Sequence, residues 1–300
     1  MGNIKNRFEE GEKLDRGEKL VIKSLPNKRI YNPSAPFKIG ENFYLFCRVE
    51  DRTNETSEAR LFQQKGNEWI LVKNYPTFNL EDPFITFLND GILFGGVDVE
   101  WENGKVKFLR TNFYYGKDIF ALDPQKPFAQ GPLNMKDIRV VQLKNGLGVF
   151  TRPQGGEFLR GRICYLEIEK IEDLKNKEIF SRGRLIDLPL EDEEWVGTND
   201  VYLLGDEHLG VLAHFAFQDK DGNLHYQVIT FIFNRKNFEV KSLKIIARRK
   251  DFPPGPSKEK RLEDVVFPGG FWREKDYYLL YCGLSDEEIG VLKIKNPFAV

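Results

Sequence analysis

The chain has 300 residues, 41% hydrophobic and 30% charged, which supplies enough apolar material for a large core in a soluble fold. Lys plus Arg (45) nearly balances Asp plus Glu (46), for a net charge of -1. That excludes the basic excess of a general nucleic-acid or membrane-surface binder, so any bound anion must be held by a local cluster.

Residues 1–18 are charged throughout, without the apolar stretch of a signal peptide, and Asn6 breaks the myristoylation pattern. They read as an extra arm, helix being one option, ahead of a single domain over residues 19–300. Aromatic and β-branched residues abound, with 25 Phe and 11 Tyr, and short apolar runs are broken by Gly, Asn and Asp, an all-β pattern. Five segments share one plan. They are NPSAPFKIGENFYLFCRVED from Asn32, DPFITFLNDGILFGGVDVE from Asp82, DIRVVQLKNGLGVFTRPQ from Asp137, DVYLLGDEHLGVLAHFAFQD from Asp200 and DVVFPGGFWREKDYYLLYCGLSD from Asp264. Each runs through an apolar strand, turns at a polar spot and returns through a second strand with a polar end. The starts lie 50, 55, 63 and 64 residues apart, room for two further strands between hairpins. The pattern predicts a five-bladed β-propeller, the even spacing arguing against two stacked β domains. The stretch KDFPPGPSKEKR (250–261) is read as a long surface loop between the fourth and fifth repeats. A closing clasp is expected where residues 19–25 run beside 289–295.

In a propeller the innermost strands converge on an axis, so the repeat gathers Asn32, Arg48, Glu50, Asp82, Asp98, Arg152, Asp200, His214, Asp264 and Asp286 toward one funnel. Any single Asp or Asn of this set can instead cap a turn, but arginines and acids mix at equivalent positions. Glu81 and Asp82 stand side by side before Pro83; strand alternation turns Glu81 away from whatever Asp82 faces. Cys47, Cys164 and Cys282 lie far apart in apolar runs and read as buried hydrophobes. Three histidines without ligand spacing form no zinc site, no Ca-loop spacing occurs, and no run reaches membrane-spanning length. The expectation is a cytoplasmic protein with no metal or cofactor, no nucleic-acid or membrane partner, and an oligomeric state that the sequence leaves open.

YNPSAPFKIGENFYLFCRVED followed by SEAR resembles the first blade of the glycoside hydrolase family 130 β-mannoside phosphorylases. LEDPF resembles their E-D-P-R motif, FTRPQ their H-R-P segment, and VVFPGG with YCGLSDEEIGVL their last-blade motifs. The order agrees over roughly residues 30–295. Phe84 stands where that family has Arg, Thr151 where it has His, and WVGTNDVYLL lacks its phosphate-holding lysine. These departures make the chain most similar to the domain-of-unknown-function group 1861, mannosyltransferase-phosphorylases placed in glycosyltransferase family 108.

The resemblance implies inverting β-mannosyl transfer, with inorganic phosphate as co-substrate or a sugar nucleotide as donor, an oligosaccharide as substrate, and Asp82 as general acid. Phosphate is already anionic and needs no second carboxylate to activate it, but it needs cationic forks. Arg60 and Arg152 are the phosphate candidates, and Arg48 is assigned to the sugar side. Asn32, Glu81, Asp98, Asn199, Asp200, His214, Asp264 and Asp286 are candidates for orientation and hydroxyl recognition. Two alternatives stay open: a β-mannoside hydrolase whose water is activated by Asp98 or Asp200, and a carbohydrate-binding propeller without catalysis.

Overall fold

A computed structural model describes residues 7–23, 25–54, 56–103 and 105–299. Strands make up 53% of the protein and helix is nearly absent. The strands form successive antiparallel meanders. In the first, Lys28–Pro33 and Phe37–Ile39 pair with Asn42–Asp51, followed by Ser57–Lys65 and Glu68–Leu71. The second runs Glu81–Leu88, Gly91–Glu102, Lys105–Gly116 and Ala129–Gln130. Arg139–Gln142, Leu147–Thr151, Cys164–Ile168 and Arg184–Leu185 make the third. The fourth comprises Trp195–Leu203, His208–Gln218, Leu224–Asn234 and Val240–Ala247. Asp264–Arg273, Tyr278–Leu284 and Glu288–Ile294 follow as the fifth.

Both faces of these sheets are covered, which is why a strand such as HLGVLAHFAFQ is an almost continuous buried run rather than an alternating one. The apolar layers lie between neighbouring meanders in order around the molecule. Phe46, Phe78 and Phe94 fill the first interface, Phe113, Val149 and Phe180 the second, and Phe150, Phe215 and Phe231 the third. Leu212, Phe252 and Leu280 fill the fourth, and Cys47, Trp69 and Tyr281 pack the last meander against the first. All three cysteines are buried thiols.

The N-terminal residues stitch this closure. Glu18 and Lys19 pair antiparallel with Val291 and Gly290, and Leu20 N–H reaches the Ile289 carbonyl. Val21 and Ile22 then cross to run parallel to Glu68 and Trp69, at the outer edge of the first meander. The run expected to lie wholly beside 289–295 is therefore shared between the last and first sheets. The helical option for the arm is not taken by residues 7–18: Glu9–Glu10 is extended and parallel to Lys244–Ile245, with Phe8 buried against Phe215. Residues 1–6 lie outside the described residues. No described helix is long and apolar enough to cross a membrane.

One irregularity recurs and places the site. The innermost strand loses register with its neighbour between Tyr31 and Pro33, between Glu81 and Phe84, between Thr198 and Asp200, and between Pro268 and Gly270. Asn32, Asp82 and, just before the third inner strand, Asp137 all have positive φ (42, 48 and 59°). Asn and Asp tolerate this left-handed region better than other side chains. The bulged positions of the fourth and fifth meanders are thus Asn199 and Gly269, not Asp200 and Asp264 as the repeat alignment expects. Apolar alternation cannot register an inserted residue, and a bulge is such an insertion.

Candidate active site

The bulges bring together a charged cluster centred on Asp82. Its Oδ1 accepts from Asn32 Nδ2 at 2.8 Å and from Arg48 Nη1 at 3.4 Å. Arg48 Nη2 lies 3.0 Å from both Glu50 Oε2 and Glu81 Oε1, while Nε donates to Ser57 Oγ at 2.9 Å. Glu81 is therefore not turned away: the positive φ at Asp82 breaks the two-residue alternation, and both neighbouring acids reach one guanidinium. Arg48 also lies over the Tyr31 ring at 5.0 Å, and the Tyr31 hydroxyl donates to Glu50 at 2.7 Å.

Glu50 is fully buried and also receives Lys258 Nζ at 2.9 Å and Arg29 Nη1 at 3.4 Å. Burial pushes the Glu81 carboxyl upward, with Arg48 opposing. Burial likewise raises Asp286 to about 6, against the pull of Arg48 and Lys258.

A second group, built on the third and fourth meanders, adjoins it. Asp137 Oδ2 faces Arg152 Nη1 at 3.2 Å. Burial alone would raise this carboxyl, but Arg152, His214, Lys136 and Arg139 outweigh it and hold it at about 2. Burial pushes His214 down to about 3, so its imidazole is neutral near pH 7. Asn199 Nδ2 donates to the Pro268 carbonyl at 2.8 Å, leaving Asn199 Oδ1 to accept from His214 Nδ1 at 2.8 Å. The His214 ring lies between Tyr226 and Phe267.

Arg152 donates to the Val196 and Arg160 carbonyls at 2.9 and 3.3 Å. Buried Asn32 Oδ1 has no hydrogen-bond partner, while Asp137 Oδ2 and Arg152 Nη1 have only their mutual ion pair; an unsatisfied buried acceptor is rare in native interiors.

Three cations escape the repeat-based reading. Arg139 donates to the Asn199 carbonyl at 2.7 Å and lies over the Phe84 ring at 4.3 Å. Phe84 occupies the place where the resemblance has arginine, so a guanidinium is supplied beside Asp82 by stacking from the next meander. Lys136 is the second. Burial works against its charge, but the carboxylates of Asp137 and Asp82 hold the ammonium on. Lys258, from the loop after the fourth meander, is the third. The run KDIR held a signal for the first two, since basic residues flank a repeat-start aspartate.

Other sequence candidates lie in separate surroundings. Arg60 is ion-paired with Glu58 at 2.9 Å, and Asp98 with Arg110 at 3.1 Å. Asp264 accepts from His225 at 2.7 Å, and that histidine also meets Asp219 at 3.2 Å. Asp200 accepts from the Val201 amide and the Tyr202 hydroxyl. It borders an apolar cavity of about 490 Å³ whose walls include Phe87, Leu203 and Phe271, from the far ends of the inner strands. Burial raises Asp200 to about 6. Among the described residues no group of three or more His, Cys, Asp or Glu is disposed to hold a metal ion.

The family described as "Protein of unknown function (DUF1861)" matches residues 6–300. A mannose phosphorylase from Leishmania mexicana, solved with a phosphate ion, is 29% identical. It has a TM-score of 0.86 over 95% of this chain and 90% of that one. A GDP-Man-dependent mannosyltransferase from the same organism is 32% identical, with a TM-score of 0.85 over 95% of this chain and 90% of that one. A β-1,2-mannobiose phosphorylase from Listeria innocua, 16% identical, shares the fold at a TM-score of 0.63, over 91% and 92% of the two chains. No curated protein sequence matches the chain.

Proposed function

The chain belongs to the DUF1861 family, and from that premise we propose that it is an enzyme transferring β-linked mannosyl units with inversion, between a mannoside and phosphate or a sugar nucleotide. The meanders are then the five blades of a propeller forming one catalytic domain over residues 19–300, with residues 1–18 as an appended arm. The observation that carries this reading is the setting of Asp82. One carboxylate is held at a bulge by Asn32 and Arg48, beside the cations Lys136 and Arg139, with Arg152 paired to the adjoining Asp137.

In phosphorolysis a phosphate oxygen attacks the anomeric carbon as its bond to the leaving sugar breaks. The proton of Asp82 passes to the leaving oxygen, directly or through a sugar hydroxyl, and α-mannose 1-phosphate departs. In synthesis the Asp82 carboxylate takes the acceptor's hydroxyl proton. No second carboxylate is required, because the nucleophile arrives charged. Arg152 contributes a guanidinium to the anion, and Lys136 restores the ammonium whose absence from WVGTNDVYLL marks the sequence. Arg60 would have to release Glu58 to join them. Asn32, Glu81, His214, Asn199 and Asp286 are assigned to holding sugar hydroxyls.

The mannosyltransferase neighbour, at 32% identity, favours a second donor, GDP-mannose, on the same acid and acceptor site. Incubation with β-1,2-mannobiose and phosphate is expected to release α-mannose 1-phosphate. GDP-mannose with a mannose acceptor tests the other donor. Free mannose formed equally with and without phosphate would replace transfer by hydrolysis, and sugar binding without turnover would leave a binding protein.

A further inference from the structure

The segment between Val240–Ala247 and Asp264–Arg273 looks like a surface connection in sequence, yet it is tied down along its length. Arg249 donates to the Pro253 carbonyl at 2.8 Å and to Ser285 Oγ at 2.9 Å. Ser285 Oγ donates in turn to the Glu263 carbonyl at 3.0 Å, and the Lys258 amide donates to the Ser285 carbonyl at 3.0 Å. Ser285 and Asp286 are consecutive residues at positive φ (53 and 51°), a turn that non-glycine residues hold only with outside support. From the same loop, the Lys258 ammonium enters the core of the cluster, 2.9 and 3.1 Å from the two Glu50 oxygens.

We propose that the loop 250–261 is a fixed clamp on the active site, in which Lys258 is a positioning residue acting on Asp82 through Glu50 and Arg48 while the loop backbone holds the turn carrying Asp286. The physical logic is competition for Arg48. Its Nη2 is shared between Glu50 and Glu81, and its Nη1 faces Asp82. Arg29, the Tyr31 hydroxyl, Ser57 Oγ and Lys258 are the other donors to Glu50. With Lys258 in place, Glu50 is satisfied without drawing Arg48 fully to itself, and the guanidinium stays available to the two acids at the bulge. Without that charge, Glu50 takes a larger share of Arg48, and Asp82 loses orientation.

The groups facing Asp286 are Arg48, Asp82, Lys258, Glu50 and Tyr31; those facing Asp82 are Asn32, Arg48, Glu81, Lys136, Arg139 and Asp286. Arg48 and Lys258 hold Asp286 down, so removal of Lys258 is expected to raise the Asp286 titration above about 6.

The consequence for catalysis rests on the mannosyl-transfer reading, but the clamp has a readout of its own. Carboxyl titrations followed by carbon NMR on the full chain compare wild type with K258M, K258Q, K258R and K260M. Lys260 is an exposed lysine of the same loop. The Asp286 midpoint is expected to rise by about one pH unit in K258M and K258Q, and to stay near wild type in K258R and K260M. Phosphorolysis by K258M is expected to fall about tenfold in kcat, with its alkaline limb displaced upward and the rate restored by K258R. A merely structural loop would lower the rate without moving the limb. An unmoved Asp286 midpoint in K258M and K258Q, or an equal shift in K260M, would overturn the clamp. Absence of any mannoside turnover in wild type would instead sink the functional reading, and the titration would still decide the clamp.

Discussion

Asp82 and Asp200 begin the same repeated pattern, an aspartate ahead of an apolar run, and end in opposite surroundings. Asp82 sits at its bulge with positive φ, among Asn32, Arg48 and the cations of the third meander. Asp200 sits one residue beyond its bulge, bonded to Tyr202 and the Val201 amide, on the wall of an apolar cavity. A displacement of a single residue in a strand exchanges the face a side chain occupies. Two residues that look equivalent in the repeat therefore carry different chemistry, and the counterpart of Asp82 in the fourth meander is Asn199.

The largest separation between the two is expected in turnover. Asp82→Asn should lower kcat for mannosyl transfer by about 10²–10⁴-fold, the usual worth of a positioned acid, with folding retained by circular dichroism. Asp200→Asn should keep a rate close to wild type. A rate in D82N as high as in D200N would erase the distinction.

The next effect lies in stability and belongs to Asp200. Burial raises its folded-state pKa to about 6, so the folded protein binds the proton more tightly than the unfolded chain. The associated stability is present in full below the unfolded carboxyl value and is lost as pH rises through about 6. Denaturant unfolding at pH 4 and pH 6.5 should show a decline of about 2–3 kcal/mol attributable to this group in wild type, and correspondingly less in D200N. Identical pH slopes in the two proteins would mean that the Asp200 carboxyl is not desolvated on the cavity wall.

The smallest effect sharpens the neighbourhood of Asp82. Glu81→Gln removes one charged partner of Arg48 and should reduce kcat about tenfold, in keeping with the loss of one charge-assisted hydrogen bond. A rate equal to wild type would return Glu81 to the back of the strand, where simple alternation puts it.

Much of the molecule is legible in the sequence because strand formation and burial are local and periodic. Alternating or continuous apolar runs, polar turns and a regular spacing of the starts define the meanders, and the motifs around Asn32, Arg48 and Asp82 mark where chemistry is concentrated. The helix option for the arm fails for a tertiary reason: Glu9 and Glu10 pair with a distant strand edge, and Phe8 is buried against Phe215. The substitution of Phe84 for arginine looks like a lost charge until Arg139 is found stacked on the ring.

Side-chain periodicity and composition are enough to specify an all-β chain of repeated hairpins and the identity of its acidic and basic residues. Which of those charges meet is settled in the folded molecule. Bulges, positive φ at Asn32 and Asp82, stacking of Arg139 on Phe84 and the reach of Lys258 to Glu50 are set by packing between distant segments, and local sequence periodicity does not record them.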